Sequence, residues 1–517
     1  MALDPTGELT LDTLLRHRLA VAPDSPWLID AERIVSTGEA EVLIADQAAR
    51  LVEQQPPGTP FVVSGANGVE VALSLFAAGR AGMIWVGIHR RLPADRRTEL
   101  VDVLRRPAGI AAVDAVAVVA FTSGTSGTPK GVMHSQYNIC LPAVMAAARQ
   151  ARVDGWPGSG QTSAHVGFAG ENSGVIGMYL ALTSINMQIL GPIEALVSGA
   201  SCVCLDITDS VELAEAVQRY GVTSLPMAAP TAFDWVEGGA TVDQLRSLVA
   251  PVVGGSSLDD RLADRYYQRF GTRLTLGYGL TEAPTSVSRQ PLGEPRVPGS
   301  SGRPLEHLRV TIRTAEDDRE VAPGEQGQIC VEPHQSGRYR RTYRPMLGYW
   351  GDPPATEQTL RGGRLHTGDH GWIDADGYLH VLGRGSDVIV RGGVNVNLAK
   401  IESALLGAPE VADAAVVGLH DERLGQVPAA AVVLINRTGG ARTNAPSPTG
   451  GTDCAGSDVS GVAEWCVQHL PGPERPVQIA VVEAIPRNAM GKIERTRVSA
   501  LIATAGEPAG SDQRSPN

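Results

Sequence analysis

The segment from Phe121 to Gly131, FTSGTSGTPKG, concentrates chemistry in eleven residues. Thr122, Ser123, Thr125, Ser126 and Thr128 supply five hydroxyls, Gly124 and Gly127 allow close backbone approach, and Lys130 adds an ammonium. Backbone N–H groups, hydroxyls and one cation together make a cradle for a polyphosphate. It is not a Walker A loop. Gly124 and Lys130 have that separation, but Pro129 precedes the lysine and Gly131 follows it. Lys130 is also one of only three lysines, with Lys400 and Lys492, while the other 41 basic residues are arginines. Where lysine persists against so strong a bias, its compact ammonium on a flexible stem does what a planar guanidinium cannot.

These residues need a scaffold, and the surrounding pattern supplies one. Phe61–Val63 reads as a strand, Val71–Ala81 as a helix and Met83–Ile88 as a second strand, a βαβ arrangement. Ala115–Phe121 is an apolar run suited to a strand buried on both faces, which ends where the hydroxyl-rich loop begins. Alternation continues through Ser201–Leu205, Val211–Tyr220, Val222–Leu225, Leu258–Phe270 and Leu274–Leu276. From about residue 290 to 380 short segments punctuated by glycine predict antiparallel β structure. After Arg384 a smaller α+β segment follows, with a helix near Leu398–Leu406. The fold class is therefore α/β: a large N-terminal domain, 1–384, of layered α/β subdomains plus a β subdomain, and a small mobile α+β C-terminal domain, 385–517. Thr438–Gly461, rich in Gly, Ser, Thr, Pro and Asn, reads as a disordered insertion, and 503–517 as a disordered tail.

Composition narrows the function further. The chain has 517 residues, 43% hydrophobic and 19% charged, which suits globular domains rather than disorder. Its net charge of −12 argues against a nucleic-acid partner or an anionic membrane surface, since both need a positive field. Six cysteines without C-x-x-C spacing give neither a disulfide framework nor a zinc site. The N-terminus lacks a signal layout, and the uncharged run Asn172–Ile193 is broken by Asn186, Gln188 and Pro192, so it reads as a buried helix rather than a membrane span. A cytoplasmic protein is expected.

Four further motifs follow the loop in a fixed order. They are Gly254-Gly255-Ser256, Tyr278-Gly279-Leu280-Thr281-Glu282, Thr367-Gly368-Asp369 with Gly383-Arg384 after it, and Pro486 to Lys492 (PRNAMGK). Together with the loop, this set resembles the adenylate-forming superfamily of acyl-CoA synthetases, peptide-synthetase adenylation domains and luciferases, from about residue 60 to 500. The resemblance implies ATP/AMP, Mg²⁺ and CoA as cofactors and a small carboxylic acid as partner, and it is compatible with a homodimer. On its scheme Tyr278 and Gly279 flank adenine, Thr281 touches the α-phosphate, Glu282 ligates Mg²⁺ and Asp369 accepts both ribose hydroxyls. Gly255 and Ser256 lie at the junction of the acyl and adenine pockets. Arg384 opens the hinge, Gly393 faces the pantetheine tunnel, and Lys492 bridges the carboxylate and the α-phosphate. His165 sits where many relatives carry a histidine beside the activated carboxylate. A hard oxygen ligand at Glu282 suits Mg²⁺ on its own chemistry.

Departures from the family pattern are equally visible. The segment between Pro93 and Phe121 is several tens of residues shorter, Ser386 stands at a hinge position that is Asp or Lys elsewhere, and Asn395 occupies a position that is Arg or Asn. An acyl-CoA ligase acting by domain alternation is the leading reading. An enzyme restricted to one half-reaction, from acyl-adenylate and CoA to thioester, is the alternative, and a non-catalytic nucleotide-binding protein a third. The candidate acyl-pocket residues His165, Val166, Gly167, Ala229, Gly254 and Gly255 are mostly small, which favours a bulky or elongated apolar acid.

Overall fold

The computed structural model describes residues 7–90, 92, 94–109, 115–122, 129–150, 174–254, 258, 260–291, 294–315, 317–384, 388–391, 394–421, 423–435, 459–487 and 493–505. The chain forms two compact units, Met1–Val381 and Leu382–Asn517.

Three sheets organise the first unit. In a five-stranded sheet, Pro60–Val63 and Ile84–Gly87 run parallel, as the βαβ pattern demands, with the helix Val69–Arg80 between them in sequence. Val118–Thr122 comes next, buried as its apolar composition predicts, then Lys130–His134 antiparallel to it, then Gly348–Tyr349 at the edge. A nine-stranded sheet runs in the order Arg303–Pro304, Thr285–Arg289, Thr275–Leu280, Ala250–Gly254, Ser224–Met227, Val175–Met178, Ser201–Cys204, Pro26–Ile29, Ile34–Ser36. Its central pairs are parallel and its two ends antiparallel. Helices on this sheet begin and end as their sequences dictate: Ser210–Tyr220 is capped by Asp209, whose carboxylate accepts from the Val211 and Glu212 N–H groups, and stops at Gly221 in a left-handed conformation. The glycine-punctuated region forms a four-stranded sheet, Arg309–Arg313, Gly327–Glu332, Leu365–Ile373 and Leu379–Arg384, whose first three strands pair antiparallel as expected.

The second unit carries a sheet of Val394–Asn397, Val388–Arg391, Gly425–Leu434 and Val411–Asp421, with Gln478–Val481 parallel to Gly425–Leu434. The helix Leu398–Leu406 covers it, burying Ile401 and Leu405. Lys400 on that helix is exposed and pairs with Glu474 at 2.6 Å, a surface ion pair.

Three boundaries differ from the sequence reading. Asn172–Ile193 is not one buried helix: its described part is a strand, Val175–Met178, a turn, and the short helical segments Ile185–Gln188 and Ile189–Ile193. β-Branched Val175 and Ile176 favour extension, and Asn67 fixes the turn by donating to the carbonyls of Tyr179 and Leu180 and accepting from Leu182 N–H. A run without charges has no periodicity to separate a doubly buried strand from a buried helix. The helix Ser460–His469 begins inside the expected insertion, of which residues 438–458 lie outside the described residues. The helix Arg495–Ala505 runs past residue 503, because Val498 and Ile502 pack into the core at i, i+4 spacing. Among the described residues no helix is long and apolar enough to cross a membrane.

His134, at the end of its strand, is fully buried, and among the described residues neither ring nitrogen has a partner at hydrogen-bonding geometry. Burial pushes its imidazole down to about 4, and the facing Thr281 carbonyl offsets this only in part. The native state therefore excludes a proton that the unfolded chain accepts below its ordinary value of 6.5. The neutral form's stability is fully present above 6.5 and is lost as pH falls toward 4, by about 3 kcal/mol. His134→Leu should make the difference in urea stability between about pH 7.5 and about pH 4.5 smaller by that amount. An unchanged pH difference would show that His134 is not the group excluding the proton.

Candidate active site

The strand Thr275–Leu280 and the turn after it carry Tyr278, Gly279, Thr281 and Glu282. Tyr278, half-buried, donates its hydroxyl to the Asp369 carboxylate at 2.5 Å. Asp369 belongs to the four-stranded sheet, so this bond ties two sheets together at one point. The carboxylate is held by its own local chemistry: Thr367 Oγ1 accepts from the Asp369 N–H at 3.1 Å while donating to the Ile329 carbonyl at 2.8 Å, and Gly368 between them takes φ 77°. Asp369 is 8% exposed, which leaves a mostly enclosed acceptor.

Glu282 lies on the other side of the turn and is 7% exposed. Tyr349 donates its hydroxyl to Glu282 Oε1 at 2.9 Å, and the Met346 N–H donates to the Glu282 carbonyl at 2.9 Å. Tyr349 pairs with Val132 in the five-stranded sheet, and its ring lies under Lys130 Nζ, 4.8 Å from the centroid. Thr122 faces Lys130 directly across the ladder, so the two ends of the hydroxyl-rich loop are pinned opposite each other. One aromatic side chain thus links the loop's lysine to the motif's glutamate. Tyr349 takes up Oε1 alone, and a carboxylate oxygen is the hard ligand that a divalent cation prefers.

Gly279 has a reason other than ligand contact. A Cβ there would lie 1.8 Å from the Thr285 carbonyl oxygen on the neighbouring strand, where Thr285 itself takes φ 81°. At Gly254, in contrast, an added Cβ meets nothing within 4 Å, so this position faces open space among the described residues, and Ala229 is half-buried. Arg384 ends its strand. Residues 123–128, His165, Val166, Gly167, Gly255, Ser256, Gly393 and Lys492 lie outside the described residues, as does Ser386.

Beside the Thr367–Asp369 motif, Asp318, Cys330 and His366 come together, with Cys330 Sγ 3.4 Å from His366 Nδ1. Arg313 and Arg364 already hold the Asp318 carboxylate, and burial pushes the Cys330 thiol up to about 12. A protonated thiol under two guanidinium groups disfavours a cation.

Sequence reasoning did not single out Tyr349 or His134. Tyr349 stands 67 residues from Glu282, and only the glycines on either side of Tyr349-Trp350 hint at a constrained aromatic.

This is the fold of adenylate-forming enzymes, with a large N-terminal and a small C-terminal domain. An anthranilate CoA ligase solved with anthranoyl-AMP superposes with a TM-score of 0.78 at 20% identity, over 98% of this chain and 100% of that one. Residues 103–339 match the AMP-binding enzyme family and 400–492 its C-terminal domain. The chain belongs to that family, and is an AMP-forming acid–thiol ligase. It is 28% identical over 487 residues to a feruloyl-CoA synthase of Amycolatopsis, covering 86% of this chain and 88% of the relative. It is 29% identical over 393 residues to a 2-succinylbenzoate–CoA ligase of Geobacillus kaustophilus, covering 75% and 70%.

The Tyr349–Glu282 bond can be weighed directly. In a double-mutant cycle with Tyr349→Phe and Glu282→Gln, the coupling in denaturant stability should be about 1.5–3 kcal/mol, the range for a hydrogen bond to a charged group. Additive losses would mean the hydroxyl does not hold the carboxylate.

Proposed function

We propose that the chain activates a bulky or elongated carboxylic acid as its acyl-adenylate and passes the acyl group to the thiol of CoA, using Mg·ATP in the cytoplasm. One observation carries this reading. A single strand and its turn hold Tyr278 against Asp369 and, four residues on, Glu282 against Tyr349 and Lys130. Four residues span at most ~14 Å, within reach of one nucleotide.

The roles divide by chemistry. Asp369 accepts hydrogen bonds from the ribose diol and Tyr278 packs on adenine. Thr122, Lys130 and the loop between them neutralise the β- and γ-phosphates. Glu282 would hold Mg²⁺, and the ion would draw charge from the phosphate oxygens. Thr281 orients the α-phosphate. The acid's carboxylate attacks that phosphorus and pyrophosphate leaves; thiol attack on the acyl carbon then expels AMP. The protein's share is positioning and charge stabilisation rather than covalent chemistry. Open space at Gly254 beside small Ala229 supports an acid with a large body.

The second unit contributes Lys492 to the first step and, after rotation about the segment near Ser386, Gly393 to the second. This separates the two half-reactions at one residue. A positioned cation on the converging negative charges is worth a factor of about a hundred or more. Lys492→Ala should therefore lose acid-dependent pyrophosphate release by at least about a hundredfold and still convert supplied acyl-adenylate plus CoA to thioester. Equal loss of both steps would contradict the alternation. A wild type that uses preformed acyl-adenylate but releases no pyrophosphate with any acid would leave only the second half-reaction.

A further inference from the structure

The strand Thr285–Arg289 carries one residue more than its neighbour can match. Tyr278 pairs with Ser288 and Gly279 with Ser286, so Val287 is a bulge. A bulge resets the alternation of side chains. Ser286 and Arg289, three apart, accordingly line one small cavity, together with Arg149 near the end of the helix Gln136–Gln150. Its other walls are largely apolar, Met145, Ile189 and Leu305 among them.

Two guanidinium groups therefore meet on one small, largely apolar-walled cavity. Two other arginines show what a guanidinium that serves the fold does. Buried Arg18 donates to Thr37 and to the carbonyls of Pro26, Ala195 and Ala200, and Arg364 pairs with Asp318 and Glu332. Arg149 and Arg289 differ. Among the described residues their buried Nε atoms have no hydrogen-bond partner and neither guanidinium forms an ion pair. Glu194 and Glu306 act on Arg149, and Glu194 on Arg289, through their charge, without an ion pair to either among the described residues. Burial, and then the charge of Arg289, lowers Arg149 to about 10, so it is still a cation at neutral pH. Two neighbouring guanidinium groups whose Nε donors are unmatched suit a planar, bidentate anion.

The cavity's place in the chain says which anion. Ser286 sits across the ladder from Gly279, next to Tyr278, and Thr285 follows Glu282 by three residues. A molecule whose reacting end lies at the Thr281–Glu282 turn has its far end within reach of this cavity. Apolar walls exclude a second polyphosphate and suit a compact head on an apolar stem.

We propose that Arg149 and Arg289 bind a second, distal carboxylate of the substrate, so that the acids activated are dicarboxylic, with an apolar or aromatic body between the two groups. This rests on the acyl-adenylate reading above, and one experiment separates the two. Acid-dependent pyrophosphate release is measured with wild-type protein for adipate, suberate and homophthalate, for their mono-methyl esters, and for monocarboxylic acids of matching length. The diacids should exceed their half-esters in kcat/KM by at least about a hundredfold, because the half-ester gives the two guanidinium groups no carboxylate to pair with. Arg289→Gln should collapse that ratio toward one. Equal kcat/KM for diacids and half-esters in the wild type would overturn the second-carboxylate site while leaving acid activation standing. Failure of every one of these acids to elicit pyrophosphate release would overturn both readings.

Discussion

A carboxylate enclosed by protein must find donors or lose its charge, and Glu282 finds one in Tyr349. Much of the site's architecture follows from that bond. Glu282 sits at the turn leaving one sheet, and Tyr349 sits at the edge of another, so their hydrogen bond fixes where the two sheets meet. The tyrosine ring then holds Lys130, and the ladder pairing of Lys130 with Thr122 closes the base of the hydroxyl-rich loop. Four residues back along the chain, Tyr278 makes the corresponding tie to the third sheet through Asp369. Two phenolic hydroxyls on two carboxylates thus hold three sheets around one nucleotide-sized region.

Gly279 shows how closely packing and chemistry are joined here. Its motif position resembles a ligand contact, yet its missing Cβ is first needed by the carbonyl of Thr285. The bulge that brings Thr285 so close also turns Ser286 and Arg289 toward the same cavity. A glycine in the nucleotide motif and a pair of arginines in the proposed acyl region are therefore consequences of one irregularity in one strand.

Much of this was legible in the sequence because it is local. The strand Val118–Thr122, the helix Val69–Arg80 and the helix Leu398–Leu406 follow from runs and periodicities that a few neighbouring residues determine. The motifs were legible for the same reason, since each is a short string with its own chemistry. What was not legible depends on distant partners. Tyr349 is silent until the fold places it on Glu282, and Arg149 and Arg289, on different elements, look like two of many arginines until they share a cavity. The uncharged run through Asn172–Ile193 misled because its turn is fixed by Asn67, more than a hundred residues earlier.

An acid joined reversibly to the α-phosphate of ATP in this region leaves a signature in the reverse reaction. Isotope exchange tests it most directly. Wild-type protein is incubated with Mg·ATP, labelled pyrophosphate and a panel of mono- and dicarboxylic acids, without CoA, and label entering ATP is counted. Exchange should require an acid and disappear when that acid is omitted. Exchange absent with every acid, in protein that binds AMP, would contradict acid activation.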